Sequence, residues 1–216
     1  MNYQKKLDVI LTSGSLLDGK EPPAKATLLL HACCGPCSSY VLEYLYKFFD
    51  ITVLYYNPNI YPQEEYTRRL EELKKLYGVF PPALEGRVKV VEQEYEPEQF
   101  YSAVKTREEP ELAIEAEKGE RCRRCYAFRL RRAYEYAAAN QFEYFCTTLS
   151  ISPFKDAEKL NSIGEELEKE NASGPRWLPS DFKKKGGFKR SLEISQEYGM
   201  YRQDYCGCIY SKNNRK

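Results

Sequence analysis

The chain has 216 residues, 42% hydrophobic and 30% charged, with a formal net charge of +1, ordinary for a soluble globular protein and long enough to bury a proper core. No apolar run approaches the roughly 20 residues that a membrane-spanning helix needs, and the start, Met1 to Leu7, lacks the apolar core and cleavage site of a signal peptide. A cytoplasmic location with no membrane partner is expected, and eight cysteines in that reducing compartment point to metal binding or redox chemistry rather than a disulfide framework.

In chain order, a short helix is expected from Tyr3 to Leu17, within an N-terminal extension over residues 1–25 that carries no usable motif. Thr27 to His31 reads as a buried strand, a short apolar run bounded by turn signals. After a Cys-Gly-Pro-Cys turn, Ser38 to Phe49 has helical spacing, with Val41, Tyr44, Leu45 and Phe48 on one face. Ile51 to Tyr56 is a second strand, followed by the loop Asn57-Pro-Asn-Ile60. Glu64 to Tyr77 is helical, with Gly78 as its stop. Arg87 to Glu92 is a third strand, and Pro97 opens an acidic helical stretch towards Lys118. Arg123 to Ala139 forms another helix, Tyr144 to Leu149 a fourth strand, and Asp156 to Glu170 a helix with Leu160, Ile163 and Leu167 inward. A helix near Lys189 to Tyr198 precedes the cysteine-bearing terminus, within a basic C-terminal segment over residues 174–216 expected to close the site. Strands alternating with helices predict a single catalytic domain over residues 1–216 with an α/β fold, its mostly parallel sheet flanked by helices. Ligands in such folds bind beyond the carboxyl ends of strands, where the first cysteines fall.

The small net charge conceals segregation. Glu92 to Glu120 holds ten acidic and three basic residues; Arg121 to Arg132 holds six arginines and no acid; Arg176 to Lys216 holds ten basic and four acidic residues. Both basic stretches contain or adjoin cysteines, which suits a phosphate-rich substrate. The plainer alternative is a set of solvated helix faces. Nineteen tyrosines serve a core, an interface or a base-stacking surface equally well.

Seven of the eight cysteines fall into three groups: Cys33, Cys34 and Cys37; Cys122 and Cys125; Cys206 and Cys208. One Cys-x-x-Cys is a weak signal, but three groups together are a strong one. Structural zinc takes four thiolates in a closed tetrahedron and rarely leaves extras. A [4Fe–4S] cluster also takes four, leaving three for a second metal or a redox disulfide. The scatter of the groups over the chain, and their place at the end of the first strand, favour iron–sulfur. The Cys34-Gly-Pro-Cys37 segment also fits a thiol-disulfide oxidoreductase, with a helix N-terminus favouring the thiolate, although such an enzyme needs neither Cys33 nor the distant pairs. Cys146, solitary in a strand, reads as a small core residue. His31, the one histidine, is a candidate proton donor or a group supporting the cysteines. There is no Gly-x-Gly-x-x-Gly and no Walker loop. The turn after the first strand stands where ATP-cleaving α/β enzymes carry a pyrophosphate loop; cysteines replace its glycines and aspartate, which argues against ATP use.

Five segments together resemble the cobalamin-independent epoxyqueuosine reductases: Leu28 to Leu42, Tyr56-Asn-Pro-Asn-Ile60, Arg121-Cys-Arg-Arg-Cys-Tyr126, Leu149-Ser-Ile-Ser-Pro-Phe-Lys155 and Tyr201 to Ser211. The resemblance runs in order from about residue 26 to 212. It implies an iron-dependent oxidoreductase that reduces epoxyqueuosine to queuosine at the wobble position of tRNA, the last step of queuosine synthesis. It also implies a fold related to the nucleotide-hydrolase (HUP, Rossmann-like) superfamily, a [4Fe–4S] cluster and one additional mononuclear iron. The implied metal thiolates are Cys33, Cys34, Cys37, Cys122, Cys125, Cys206 and Cys208; Cys146 departs from a threonine-rich strand. The expected partners are the anticodon loop of the tRNA and a low-potential electron donor. Expected substrate and RNA contacts are Asn57, Asn59 and Tyr61 after the second strand; Arg121, Arg123 and Arg124; Lys183, Lys184, Lys185, Lys189 and Arg190 for phosphates; and Phe188, Tyr201 and Arg202, the rings stacking on splayed bases. Two readings from other classes remain: a zinc-stapled tRNA-binding module and the Cys-Gly-Pro-Cys oxidoreductase.

Overall fold

Leu28, Leu29 and Leu30 are fully buried in the strand β1 (Ala26–His31), as expected of a strand covered on both faces in a parallel sheet. The computed structural model describes residues 1–13 and 25–214. Ahead of β1, helix α1 (Tyr3–Thr12) is capped by the Asn2 side chain, which accepts from the Lys5 amide; the rest of the helix expected through Leu17 lies outside the described residues.

Helix α2 (Gly35–Leu45) starts three residues earlier than the spacing predicts, because the Cys34 sulfur accepts the Cys37 amide at 3.4 Å and Pro36 suits a first turn. It also stops sooner. Phe49 leaves the helix to open strand β2 (Phe49–Tyr55), where its ring is fully buried against Tyr144, centroids 5.5 Å apart. That burial contributes roughly 1.5–3 kcal/mol, whereas Phe48 stays 37% exposed. Helix α3 (Gln63–Tyr77) follows, then a short helix absent from the sequence reading, α4 (Pro81–Glu85), opened by its two prolines. Strand β3 is Lys89–Glu92.

The acidic stretch after Pro97 is not one helix. It forms α5 (Pro97–Val104) and the short α6 (Glu111–Ile114), parted by Lys105 in the left-handed region (φ 56°) and by Pro110. Helix α7 (Glu120–Ala139) begins earlier than expected, since the Glu115 carboxylate accepts the Glu120 and Arg121 amides at 2.7 and 2.8 Å. Strand β4 (Tyr144–Thr147) ends two residues short of Leu149, where the Thr147 hydroxyl accepts the Leu149 amide and turns the chain into a 3-10 turn at Thr148–Ile151. Helix α8 (Ala157–Lys169) precedes the two-residue strand β5 (Arg176–Trp177). The Trp177 ring lies over Gly164, where a Cβ would come 2.1 Å from it. Helices α9 (Gly187–Glu197) and α10 (Ile209–Asn213) complete the described chain.

The strands form one parallel sheet in the order β3-β2-β1-β4-β5. Helix α2 packs against α3 and α9, while α7 packs against α5, α8, β1 and β4, so helices flank the sheet as the α/β reading requires. The chain leaves β1 towards β2 on one side and returns to β4 on the other. The carboxyl ends of β1 and β4 therefore diverge into the crevice where open α/β sheets bind ligands. Among the described residues no helix is long and apolar enough to cross a membrane.

Candidate metal centre

At the carboxyl end of β1 the chain turns sharply into α2, and this turn gathers three sulfurs. The Sγ atoms of Cys33, Cys34 and Cys37 all lie within 4.8 Å of one another, with Cys33 and Cys34 3.7 Å apart. Gln203 reaches over from the C-terminal segment, its Nε2 2.9 Å from the Cys34 sulfur. Hydrogen bonds from Cys34 and then Cys37 hold the Cys33 thiol well below its ordinary range, helped by Arg129 and Arg69; burial and Cys33 itself push Cys34 up to about 12. One of the three thiols is thus held down and the other two pushed up.

The remaining four thiols come from two elements. Cys122 and Cys125 occupy the first two turns of α7 at i, i+3, so both face one way. Cys125 packs with Cys208, Phe100 and Val104 in a buried cluster. A hydrogen bond from Cys208 depresses the Cys206 thiol, with Lys155 and Arg129 adding to the effect, and burial pushes Cys125 up to about 11. The Cys206-Gly-Cys208 loop can adopt its path only with glycine in the middle. Gly207 has φ +121°, and a Cβ there would stand 3.0 Å from Ile60 and 3.1 Å from the Arg69 guanidinium. Arg69 Nη1 donates to the Cys206 carbonyl at 3.2 Å.

Three buried cations lie among these sulfurs. Arg69 is paired with Glu65 at 2.6 Å. Arg129, 1% exposed, donates to Asn57 Oδ1, and Asn57 donates to the Ala32 carbonyl at 2.9 Å. Lys155, 6% exposed, donates to the Cys206 sulfur. Burial opposes the Lys155 charge, but Cys206 and Tyr126 outweigh it and hold the ammonium above its ordinary range. Burying such charges without anionic partners is costly; Glu65 balances Arg69, and the thiols held low, Cys33 and Cys206, serve Arg129 and Lys155. Sequence reasoning missed Lys155, Arg69 and Gln203 as site residues. Lys155 had a signal in the Ser-Pro-Phe-Lys segment, whereas Arg69 looks like any arginine on an amphipathic helix.

Cys33, Cys37, Cys206 and Lys155 open on one cavity of about 580 Å³, whose rim carries Ile114, Phe154 and Phe188. His31 does not line this cavity. It is fully buried; its Nε2 donates to the Tyr56 carbonyl at 3.1 Å, and its Nδ1 accepts from the Thr147 hydroxyl at 2.8 Å. The carbonyl can only accept, which fixes this tautomer. Burial and the nearby Arg129 pull the ring's pKa down to about 3, so it is neutral. Cys146 is fully buried in β4.

The expected RNA contacts fall into separate places. Phe188 and Arg202 line the cavity, with the Arg202 guanidinium 5.9 Å from the Phe188 ring. Asn59 is buried, and its amide has no partner among the described residues. Arg121 is turned inward to the Leu112 and Ala113 carbonyls. Arg123 and Arg124 are bound to Glu120, and Arg124 also to Glu109. Lys183 and Lys184 pair with Asp181, Lys185 with Asp8 and Arg190 with Glu43. The Tyr201 ring is covered by Arg68 at 3.4 Å, its hydroxyl donating to Glu65. Tyr61 and Lys189 are exposed, and Lys212 lies 5.8 Å from the Tyr61 ring.

This arrangement agrees with the comparisons against known proteins. The family described as "Epoxyqueuosine reductase QueH" matches residues 28–214. A protein of that name from Streptococcus pyogenes is 40% identical over 187 residues, 87% of this chain and 71% of that protein. One from Staphylococcus epidermidis is 37% identical over 98% of this chain and 84% of its own length, and one from Thermotoga maritima 33% identical over 88% and 92%. With the match spanning the sheet, the β1–α2 turn, the first turn of α7 and the Cys206–Cys208 loop alike, the chain belongs to the epoxyqueuosine reductase QueH family.

Proposed function

We propose that this chain reduces epoxyqueuosine to queuosine in tRNA, the epoxide oxygen leaving as water with the consumption of two electrons and two protons. The observation that carries this reading is the cavity at the end of the sheet onto which Cys33, Cys37 and Cys206 open, with a buried ammonium beside them. The donor set suits iron: three thiols within 4.8 Å of one another, Cys206 on the same cavity, Cys125 packed with Cys208, buried cations to balance their charge, and the unpartnered Asn59 amide and Gln203 Oε1. Cys33, Cys34, Cys37, Cys122, Cys125, Cys206 and Cys208 would hold a [4Fe–4S] cluster and one further iron. Such groups supply single electrons and a Lewis acid for the epoxide oxygen when bound. An external low-potential donor in the cytoplasm provides the electrons.

The chain's own residues supply the rest. Lys155 presents hydrogen-bond donors at the cavity floor, where an oxygen bearing developing charge is stabilised by a desolvated cation. Ile114, Phe154 and Phe188 at the rim exclude water around a base. His31 braces β1, β4 and the loop after β2, which keeps the β1–α2 turn in place. Lys189 and the Lys183–Lys185 run contribute phosphate attraction, tempered by their acidic partners. The dithiol-oxidoreductase alternative needs an accessible nucleophilic thiolate at the start of α2, whereas Cys34 is 1% exposed and occupied in capping the helix.

The test is anaerobic incubation of iron-reconstituted protein with epoxyqueuosine-containing tRNA and a chemical reductant. Queuosine should appear in the digested tRNA. Absence of product, from protein that binds the tRNA and contains iron, would contradict the reading.

A further inference from the structure

The turn at 152–155 does two things at once. The Ser152 hydroxyl accepts the Phe154 amide at 3.2 Å, and its carbonyl accepts the Lys155 amide at 3.1 Å. The two side chains then part: Lys155 runs inward to the Cys206 sulfur, and Phe154 stands 63% exposed at the mouth of the same cavity. A large ring left in water beside a mostly apolar cavity marks a binding surface. Phe154 packs into neither buried cluster among the described residues, so the fold does not require it there. Ile114, 82% exposed, lines the same mouth. Of the other rings considered for stacking, Tyr201 is already covered by Arg68, Tyr61 does not line the cavity, and Phe188, which does, is half-buried with the Arg202 guanidinium 5.9 Å from its ring.

We propose that Phe154 is the platform on which the wobble base stacks as it enters the cavity. This rests on the tRNA reading above. A base splayed from an anticodon loop loses its stacking neighbours, and an aromatic face replaces them without reading sequence. Because Phe154 and Lys155 are adjacent on one hydrogen-bonded turn, a base held by the ring is delivered over the ammonium and the thiols. Phe154 is thus a positioning residue, fixed by the turn that carries the cavity's cation.

The experiment uses the full chain and an anticodon stem-loop RNA with 2-aminopurine at the wobble position, reading both anisotropy and fluorescence. The wild type should bind and quench the fluorophore. Phe154→Ala should lose most of the quench and weaken binding by roughly ten- to hundredfold, with an unchanged thermal midpoint. Phe154→Trp should keep the quench, and Phe154→Leu, apolar without a π-face, should not restore it. Full quenching in Phe154→Ala, or restoration by Phe154→Leu, would overturn the proposal. So would wild-type binding without quenching, while leaving the tRNA reading standing. Failure of the wild type to bind the RNA at all would sink both.

Discussion

His31 ties together the ends of β1 and β4 and the loop after β2 with two hydrogen bonds, and it does so as a neutral ring in a fully dry site. Removing it takes the donor from the Tyr56 carbonyl and opens a cavity, while the Thr147 hydroxyl keeps the Leu149 amide and the backbone carbonyl of residue 31 as partners. His31→Ala is therefore expected to lower unfolding stability by about 2–4 kcal/mol, measured by urea titration of the reconstituted protein. A stability within about 0.5 kcal/mol of wild type, with turnover abolished, would instead favour the proton-donor role that its sequence position suggested. The sequence displays His31 and the cysteines by type and spacing, since few residue types bind metals. It does not display Lys155, Arg69 or Arg129, because their distinction is burial beside sulfur, which only the tertiary fold creates. The unusual positions are those where a charge is buried, and nothing local in the sequence encodes that.

The elements that place the site are short, and their ends matter more than their middles. Apolar spacing located β1 to β4 and the main helices, yet several boundaries depended on single side chains from outside the repeating pattern: the Cys34 sulfur for α2, the Glu115 carboxylate for α7 and the Thr147 hydroxyl after β4. Periodicity sees none of these, since a cap acts once. β5 has two residues and α10 five, too few to show a period. The helix after the Phe154 turn offers a test of this view. Asp156 Oδ1 accepts the Glu158 and Lys159 amides at 3.0 and 3.1 Å, so Asp156→Ala should cost about 1 kcal/mol in a thermal or urea melt. No measurable change would mean that tertiary packing, not the cap, sets the start of α8.

Across the whole molecule the parallel sheet has set the place of chemistry before any cysteine is considered, and Cys206 of the C-terminal loop opens on the same cavity from far along the chain. The resemblance in five ordered motifs made the family legible from sequence. The charge segregation was legible too, but much of it is spent internally: Lys183, Lys184, Lys185 and Arg190 all have acidic partners. Replacing Lys183, Lys184 and Lys185 together by Glu should still weaken tRNA binding and flatten its salt dependence, with a smaller change in slope than three unpaired lysines would give. Binding titrations at several salt concentrations measure this, and unaltered affinity would remove that surface from the footprint.

The central claim is that the clustered thiols hold iron and sulfide, and metal analysis of protein purified without oxygen tests it most directly. About four or five irons per chain, with labile sulfide and a broad visible absorption band, is the predicted result. Stoichiometric zinc in colourless protein, persisting after anaerobic reconstitution, would contradict it.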